Sequence, residues 1–282
     1  MNPPLIGNST EELASCLRSF KMTGMAEALE YMELHPEEFE GWSYKDRMAW
    51  FVRAQEERRF NNKVATCLKN AKLRYPMADI MDIIEPEERG LEIDYFEFLG
   101  RERWLERHDN VVLLGASGSG KTYLACAVGA AVCKLGTTVR YVRTDDLLRE
   151  LAEAKLAGTY SKALLHFTKP KLLILDEFLL TQLVASQTAD LLNVIEGRYQ
   201  DGSLVICTQF PIAEWMERLC STQGNQPMCE AILDRIVHKA REVAIGGEIS
   251  MRERLSIELS WPRAASTTNR SKNKALPSGR AL

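Results

Sequence analysis

Gly115-Ala116-Ser117-Gly118-Ser119-Gly120-Lys121-Thr122 is the stretch that decides the fold. It follows the apolar run Val111-Val112-Leu113-Leu114 and leads into a segment of helical periodicity over 123–135. Strand, glycine-rich loop and helix form the setting that a phosphate-binding loop of pattern G-x-x-x-x-G-K-[ST] requires. Gly115, Gly118 and Gly120 let the backbone curl so that successive N–H groups point inward at phosphate oxygens. The helix that follows adds the positive end of its dipole. Lys121 has the reach to meet the β- and γ-phosphates, and Thr122 the hydroxyl to meet Mg²⁺. The residues expected to touch a nucleoside triphosphate are therefore Gly115, Ala116, Ser117, Gly118, Ser119, Gly120, Lys121, Thr122 and Tyr123.

A second element, Leu172-Leu173-Ile174-Leu175-Asp176-Glu177-Phe178, is a buried strand with carboxylates at its C-terminal end. Ligands bind at that end in open α/β sheets. Asp176 is placed to support Mg²⁺ and Glu177 to polarise an attacking water. An Asp-Glu pair separates hydrolytic machines from many small-molecule kinases. A third element, Val205-Ile206-Cys207-Thr208-Gln209-Phe210, ends another apolar strand in two polar residues. Thr208 or Gln209 is placed there to reach the γ-phosphate or the lytic water. A fourth, Ala231 to Ala240, carries Arg235 on a helix, and Arg252 follows in Ser250-Met251-Arg252-Glu253-Arg254.

Around these motifs the chain alternates strands (111–114, 138–142, 172–175, 204–207, 242–245) with helices (122–135, 145–157, 162–167, 187–199, 213–219, 228–239, 251–259). Such alternation specifies a parallel sheet covered by helices on both faces. His108, just before the first strand, reads as a surface residue. Upstream the pattern is helical only. Ser9 with Glu12 opens one helix, running to Leu34 with an interruption at Thr23-Gly24, and Ser43 with Asp46 opens another. This second helix runs on, or breaks and restarts, through Leu73.

Charge is unevenly spread within a net −3. Residues 1–57 carry eleven acids and five bases, residues 58–74 six bases and no acid, and residues 79–109 eleven acids and four bases. The six bases are Arg58, Arg59, Lys63, Lys69, Lys72 and Arg74. On a helix they line one side while Phe60, Val64, Cys67, Leu68 and Ala71 line the other. Contact with nucleic-acid phosphates is one reading of that face. A solvated face pairing with neighbouring acids is the competing one. The final stretch, 261–282, has five bases, no acid and little apolar content, and is expected to stay disordered.

Composition excludes several classes. No run approaches 18 apolar residues, so no membrane span is expected. The N-terminus lacks the basic and apolar regions of a signal peptide. Seven cysteines are scattered without a C-x-x-C pair, which predicts buried free thiols in the cytoplasm and no zinc site.

GASGSGKTYLA, LLILDEF, VICTQFPIAEW, AILDRIVHKA and SMRER occur in this order, and the set resembles the IstB-like helper ATPases of insertion sequences, AAA+ proteins of the initiator clade related to DnaC-type helicase loaders. KMTGMAEALE and KNAKLR are similar to segments of that family's helical DNA-binding domain. The likeness spans about Lys21 to Arg254. It implies an all-α DNA-binding domain over 1–75, a connector over 76–103, an α/β AAA+ ATPase domain over 104–259 and a basic tail over 260–282. It further implies ATP with Mg²⁺ held between subunits of a homo-oligomer on double-stranded DNA, with a transposase as partner. By that resemblance Lys121 and Thr122 bind ATP and Mg²⁺, Asp176 supports the ion and Glu177 activates water. Thr208 or Gln209 is then sensor 1, Arg235 the finger reaching the adjacent subunit, and Arg252 sensor 2. Two stretches depart from the family pattern: Phe178-Leu179-Leu180-Thr181 lacks a glycine after the acidic pair, and 220–229 differs from the usual acidic link. A helicase loader, whose N-terminal helices grip a helicase, is the alternative. A small-molecule kinase and a non-catalytic DNA-binding module that uses ATP as a structural ligand are the readings from other classes.

Overall fold

The computed structural model describes residues 9–220, 225–247 and 250–251. Arg252, the expected helix over 251–259 beyond its first residue, and the tail over 260–282 lie outside the described residues.

Five parallel strands form one sheet: β1 (Asn110–Leu114), β2 (Val139–Arg143), β3 (Leu172–Phe178), β4 (Ser203–Thr208) and β5 (Ala240–Ala244), in the order β2-β3-β4-β1-β5. Their side chains divide by the period of two that a strand imposes. Val111, Leu113, Val139, Tyr141, Leu172, Ile174, Val205 and Cys207 enter one core. Val112, Val142, Leu173, Leu175, Leu204 and Ile206 enter the other. Both faces are thus apolar, which explains the unbroken apolar runs in the sequence. On the first face lies α6 (Lys121–Lys134), with α4 (Ile93–Leu99) and α5 (Arg103–Glu106) from the segment preceding β1. On the second lie α7 (Thr144–Leu156), α8 (Tyr160–Thr168), α9 (Ala185–Glu196), α10 (Trp215–Leu219) and α11 (Gln226–Val237).

Three helices precede this layer: α1 (Thr10–Ser19), α2 (Thr23–Leu34) and α3 (Tyr44–Ala71). The first break falls at residues 20–22, where Lys21 takes a left-handed φ of 60°, and not at Thr23-Gly24, which start α2. Gly24 serves close packing instead: a Cβ there would lie 2.5 Å from the Ala54 carbonyl oxygen of α3. Gln55 completes the contact, its Oε1 accepting from the N–H of Gly24 at 2.9 Å and Met25 at 3.3 Å. The second helix does not break. A reciprocal capping box between Ser43 and Asp46 starts it, and it runs 28 residues to Lys72 in a left-handed conformation. Cys67 and Ala71 near its end, with Leu73 beyond, are buried in the same core as β1 and α6.

Two buried polar side chains tie the bottom of the sheet. Asn110 donates from Nδ2 to the Ile236 carbonyl and accepts from Leu204 N–H, joining β1 to α11 and β4. The Arg198 guanidinium donates to five backbone carbonyls, of Phe167, Thr168, Pro170, Lys171 and Ser203. Burial pushes it down to about 9, so the charge persists at neutral pH. His108 is half-buried, with its Nδ1 enclosed, because the chain turns there at a φ of 56° to enter β1. The free-thiol expectation fails at one pair. Cys220 and Cys229 are disulfide-bonded, since the end of α10 and the start of α11 bring their Cα atoms to 6.2 Å. The other five cysteines are free thiols, four of them buried. Among the described residues no helix is long and apolar enough to cross a membrane.

Candidate nucleotide-binding site

The glycine-rich loop joins β1 to α6 as the sequence predicts, with Gly118 and Gly120 at φ of 84° and 88°. Gly120 is doubly constrained, because a Cβ would also lie 2.7 Å from Arg89 Nη2. That buried guanidinium donates to the carbonyls of Ser119 at 2.7 Å and Ile84 at 3.2 Å, and burial lowers its affinity for the proton. Lys121 Nζ lies within the loop and donates to the carbonyls of Gly115 at 2.6 Å and Ala116 at 2.7 Å. Met251 N–H closes on the Gly118 carbonyl at 2.9 Å.

The acidic pair sits in a β-bulge. Leu175 pairs with Ile206 and Phe178 with Thr208, so β3 carries one more residue than β4 between those partners. Extra residues of this kind leave the ladder and are re-aimed. Glu177 takes a φ of 53°, and Leu179, in the glycine-free stretch after the acidic pair, takes 56°. Leu179 is buried all the same, so packing sustains a backbone conformation that costs an ordinary residue about 1 kcal/mol. Asp176 is buried. Its Oδ2 accepts from Thr122 Oγ1 at 2.9 Å and from the Tyr141 hydroxyl at 2.7 Å, and its Oδ1 accepts from Glu177 N–H at 3.0 Å. Burial, reinforced by Asp176, pushes the Tyr141 phenol far up, so it stays a donor. The Glu177 carboxylate is held by the Arg143 guanidinium, with Nε 2.8 Å from Oε2 and Nη2 in contact with the same oxygen. Hydrogen bonding to Glu177 raises Arg143 further.

The strand-end pair divides its roles. Thr208 is buried; its hydroxyl donates to the Phe178 carbonyl and accepts from Phe210 N–H, both at 3.1 Å. It pins the loop after the bulge. Gln209 is exposed and lines the cavity beside Glu177.

Two cavities meet at the loop. One, of about 400 Å³, is lined by Tyr75, Asp82, Ile84, Arg89, Tyr123 and Met251 together with Gly118, Gly120, Lys121 and Thr122. The other, of about 150 Å³, is lined by Ser117, Lys121, Asp176, Glu177, Thr208 and Gln209, with Arg74 and Tyr75 at its wall. A largely apolar compartment joined to a polar one across the P-loop suits a nucleoside with its phosphates. The fit for Mg²⁺ is also good. Thr122 Oγ1 and Asp176 Oδ2 are hard oxygen donors 2.9 Å apart, and no cluster of three or more His, Cys, Asp or Glu able to hold a metal by itself occurs among the described residues. That is the donor set of an ion bound chiefly through phosphates.

Arg235 lies elsewhere. It is in α11, donates to Glu196 at 2.8 Å, and lines a crevice with Asn110 and Leu204, at the starting ends of β1 and β4. The six bases of 58–74 separate as well. Arg58 pairs with Glu27 at 3.3 Å, and Lys63 lies against Gly136 beyond α6. Arg59, Lys69 and Lys72 are exposed. Arg74 is off the helix and stands at the nucleotide cavity, 3.9 Å from Glu177. Tyr141, Arg143, Arg89 and Arg74 are site residues that motif reading missed. The one local hint was the spacing of Tyr141 and Arg143, two apart and so on one face of β2.

Comparison with known proteins agrees with this geometry. A family model described as IstB-like ATP binding protein matches residues 15–258. A Sinorhizobium fredii protein named for ATP binding in an insertion sequence is 32% identical over 243 residues, covering 86% of this chain and 96% of its own. A second one from the same organism is 34% identical over 232 residues, covering 82% and 92%. Among solved structures, the DnaC helicase loader aligns with a TM-score of 0.51 at 20% identity, over 61% of this chain and 99% of its own. AMPPCP-bound DnaA from Aquifex aeolicus aligns with a TM-score of 0.53 at 17% identity, over 67% and 56%. At those identities the likeness concerns the fold, an AAA+ P-loop architecture.

Proposed function

The chain belongs to the IstB-like ATP-binding protein family, and from that premise we propose that it is an ATP-hydrolysing transposition helper, which assembles with copies of itself on double-stranded DNA and recruits or activates a transposase. The observation that carries the hydrolytic part is the bulge. It puts Asp176 beside Thr122 and turns Glu177 into the cavity that Lys121 and Gln209 also face. A nucleotide-holding module without turnover has no use for a carboxylate aimed there.

Each group of the chain then has a task. Lys121 exchanges the carbonyls of Gly115 and Ala116 for phosphate oxygens, and the loop N–H groups cradle the rest. Thr122 and Asp176 would hold Mg²⁺, which would supply charge neutralisation for the phosphates. Glu177 exchanges Arg143 for the attacking water and accepts its hydrogen bond. Gln209 orients the same water or the γ-phosphate. Arg235 reaches the site of an adjacent subunit. The exposed bases Arg59, Lys69 and Lys72 meet DNA phosphates. Arg58 and Lys63 extend that face.

Glu177→Gln tests the reading. Steady-state turnover of the full chain should fall about 10²–10⁴-fold while ATP binding persists. Unchanged turnover would remove the hydrolase. The helicase-loader alternative has the DnaC-like fold in its favour. Duplex DNA binding by the full chain that weakens steeply with salt favours the transposition reading. Tight binding to a replicative helicase with none to DNA favours the loader.

A further inference from the structure

We propose that Arg74 is a positioning residue of the hydrolytic site, acting on Glu177 directly and on Asp176 through Tyr141, and not a sixth phosphate contact of the basic helix. The proposal rests on the hydrolase reading above and adds a residue that precedes the α/β layer in the chain.

The path of the chain sets it up. Helix α3 ends at Ala71, Lys72 turns the backbone through a left-handed conformation, and Leu73 plugs the core. Arg74 therefore does not continue the helical face that Arg59 and Lys69 occupy. Tyr75, the next residue, packs its ring against Tyr123 of α6 with ring centroids 6.1 Å apart, which holds the segment against the helix that starts at the P-loop. From there the guanidinium faces the ends of β2 and β3. Nη1 is 3.9 Å from Glu177 Oε1, while Arg143 takes Oε2, so each oxygen of that carboxylate faces a different arginine.

The second arm runs to the metal-supporting carboxylate. Arg74 stands beside the Tyr141 hydroxyl, and that hydroxyl donates to Asp176 Oδ2 at 2.7 Å. Burial opposes the charge on Arg74, yet Tyr141 and nearby negative charge leave it above its ordinary value. The result is a connected set: Arg74 to Glu177, and Arg74 to Tyr141 to Asp176 to Thr122. Two adjacent carboxylates and a polyphosphate would otherwise share the site with only Lys121 and Arg143 as cations. A planar fork set between Glu177 and Tyr141 supplies charge and fixed geometry together, which an ammonium does not. Its half-exposed side chain leaves room for the carboxylates to move when nucleotide enters.

The test uses the full chain with Arg74→Ala, Arg74→Lys, Tyr141→Phe and the double variant, and Glu177→Gln as reference. ATP turnover, KM and affinity for a fluorescent duplex across salt are measured together. Arg74→Ala should lower kcat about 10–100-fold, as misplaced catalytic groups do, with KM changed less than about threefold. Its salt slope for DNA should match the wild type. Arg74→Lys should recover part of kcat, and Tyr141→Phe should cost less on top of Arg74→Ala than it costs alone, because the two share one path to Asp176. Wild-type kcat in Arg74→Ala, with a salt slope reduced by about 0.9, would make Arg74 a phosphate contact and overturn the proposal. If Arg74→Ala does not fold, wild-type kcat in both Arg74→Lys and Tyr141→Phe overturns it equally. Full turnover in Glu177→Gln removes the hydrolase reading, and this proposal with it; loss there with none in the Arg74 series removes the proposal alone.

Discussion

Lys121 and Arg235 stand at opposite ends of one sheet. Lys121 follows the finishing end of β1, whereas Arg235 shares a crevice with Asn110 and Leu204, at the starting ends of β1 and β4. An arginine so placed has no route to its own nucleotide, and its partner in the isolated chain is Glu196. It is available to another subunit. Pure Arg235→Ala protein should lose turnover by about 10³-fold or more, the size of an arginine-finger effect. Mixing it with Lys121→Ala protein should restore activity at interfaces that pair one intact site with one intact finger. No recovery at any mixing ratio would sink the trans role.

Thr208 and Gln209 should part company under mutation. Thr208→Val removes the clamp between the Phe178 carbonyl and Phe210 N–H, so it should cost about 1–3 kcal/mol of stability, read as an earlier denaturant midpoint. Gln209→Ala touches an exposed side chain and should leave the midpoint in place while turnover drops about tenfold or more. The opposite pattern would give the chemical role to Thr208.

The basic face gives a prediction in salt. Arg59 and Lys69 are exposed in α3, and none of the ion pairs formed by described residues involves either side chain. Replacing both by Ala should reduce the slope of log K against log salt by about 1.8, two contacts at about 0.9 each, for any duplex sequence. An unchanged slope would return the face to the solvent.

Arg198 predicts a structural failure. Arg198→Met keeps the bulk of the side chain but removes the donor from five backbone carbonyls, of which those of Phe167 and Ser203 are buried and those of Thr168, Pro170 and Lys171 partly so. Unfolding free energy should fall by about 3 kcal/mol, measured by urea titration, since unsatisfied buried acceptors carry their full desolvation cost. A loss under about 1 kcal/mol would mean that water replaces the guanidinium.

Acid should loosen the segment before β1 through Asp79. Lys134 Nζ at 2.6 Å and Met81 N–H at 3.1 Å lower its carboxyl below the ordinary value. With the folded pKa depressed, the contribution is complete above the unfolded value and disappears as pH falls through the folded one. The pair is solvent-exposed, so the whole effect is about 0.3–1 kcal/mol. Asp79→Asn should therefore lower the melting temperature slightly at neutral pH and not at all at strongly acid pH. An equal loss at both would assign the effect to something other than charge.

The P-loop and the acidic pair were readable because their chemistry is written in consecutive residues. Strands β1, β3 and β4 were readable because a doubly covered sheet leaves unbroken apolar runs such as Leu172 to Leu175. Tyr141 and Arg143 were not, because Val139 to Arg143 looks like any buried strand until the order β2-β3 sets Arg143 opposite Asp176. Arg74 was hidden by company: five neighbours of like charge suggested one face, and only the turn at Lys72 takes it off that face. The Cys220–Cys229 pair arises from the way two helices approach, which spacing in sequence does not encode. Leu179 lies in the stretch that departs from the family pattern, and its left-handed backbone survives through burial.

The unbroken course of α3 has a mechanical consequence. At about 1.5 Å per residue its 28 residues make a rod of about 42 Å, anchored near one end by Cys67 and Ala71 beside α6 and near its middle by Gln55 and its partners in α2. Without a hinge along the rod, a tilt of about 10° at the end beside α6 displaces Arg59, about 18 Å away along the helical rise, by about 3 Å. That is about one base-pair step of duplex at 3.4 Å. Subunits that lean only slightly against one another when nucleotide joins them would thereby bend or underwind whatever strand their outer helices hold.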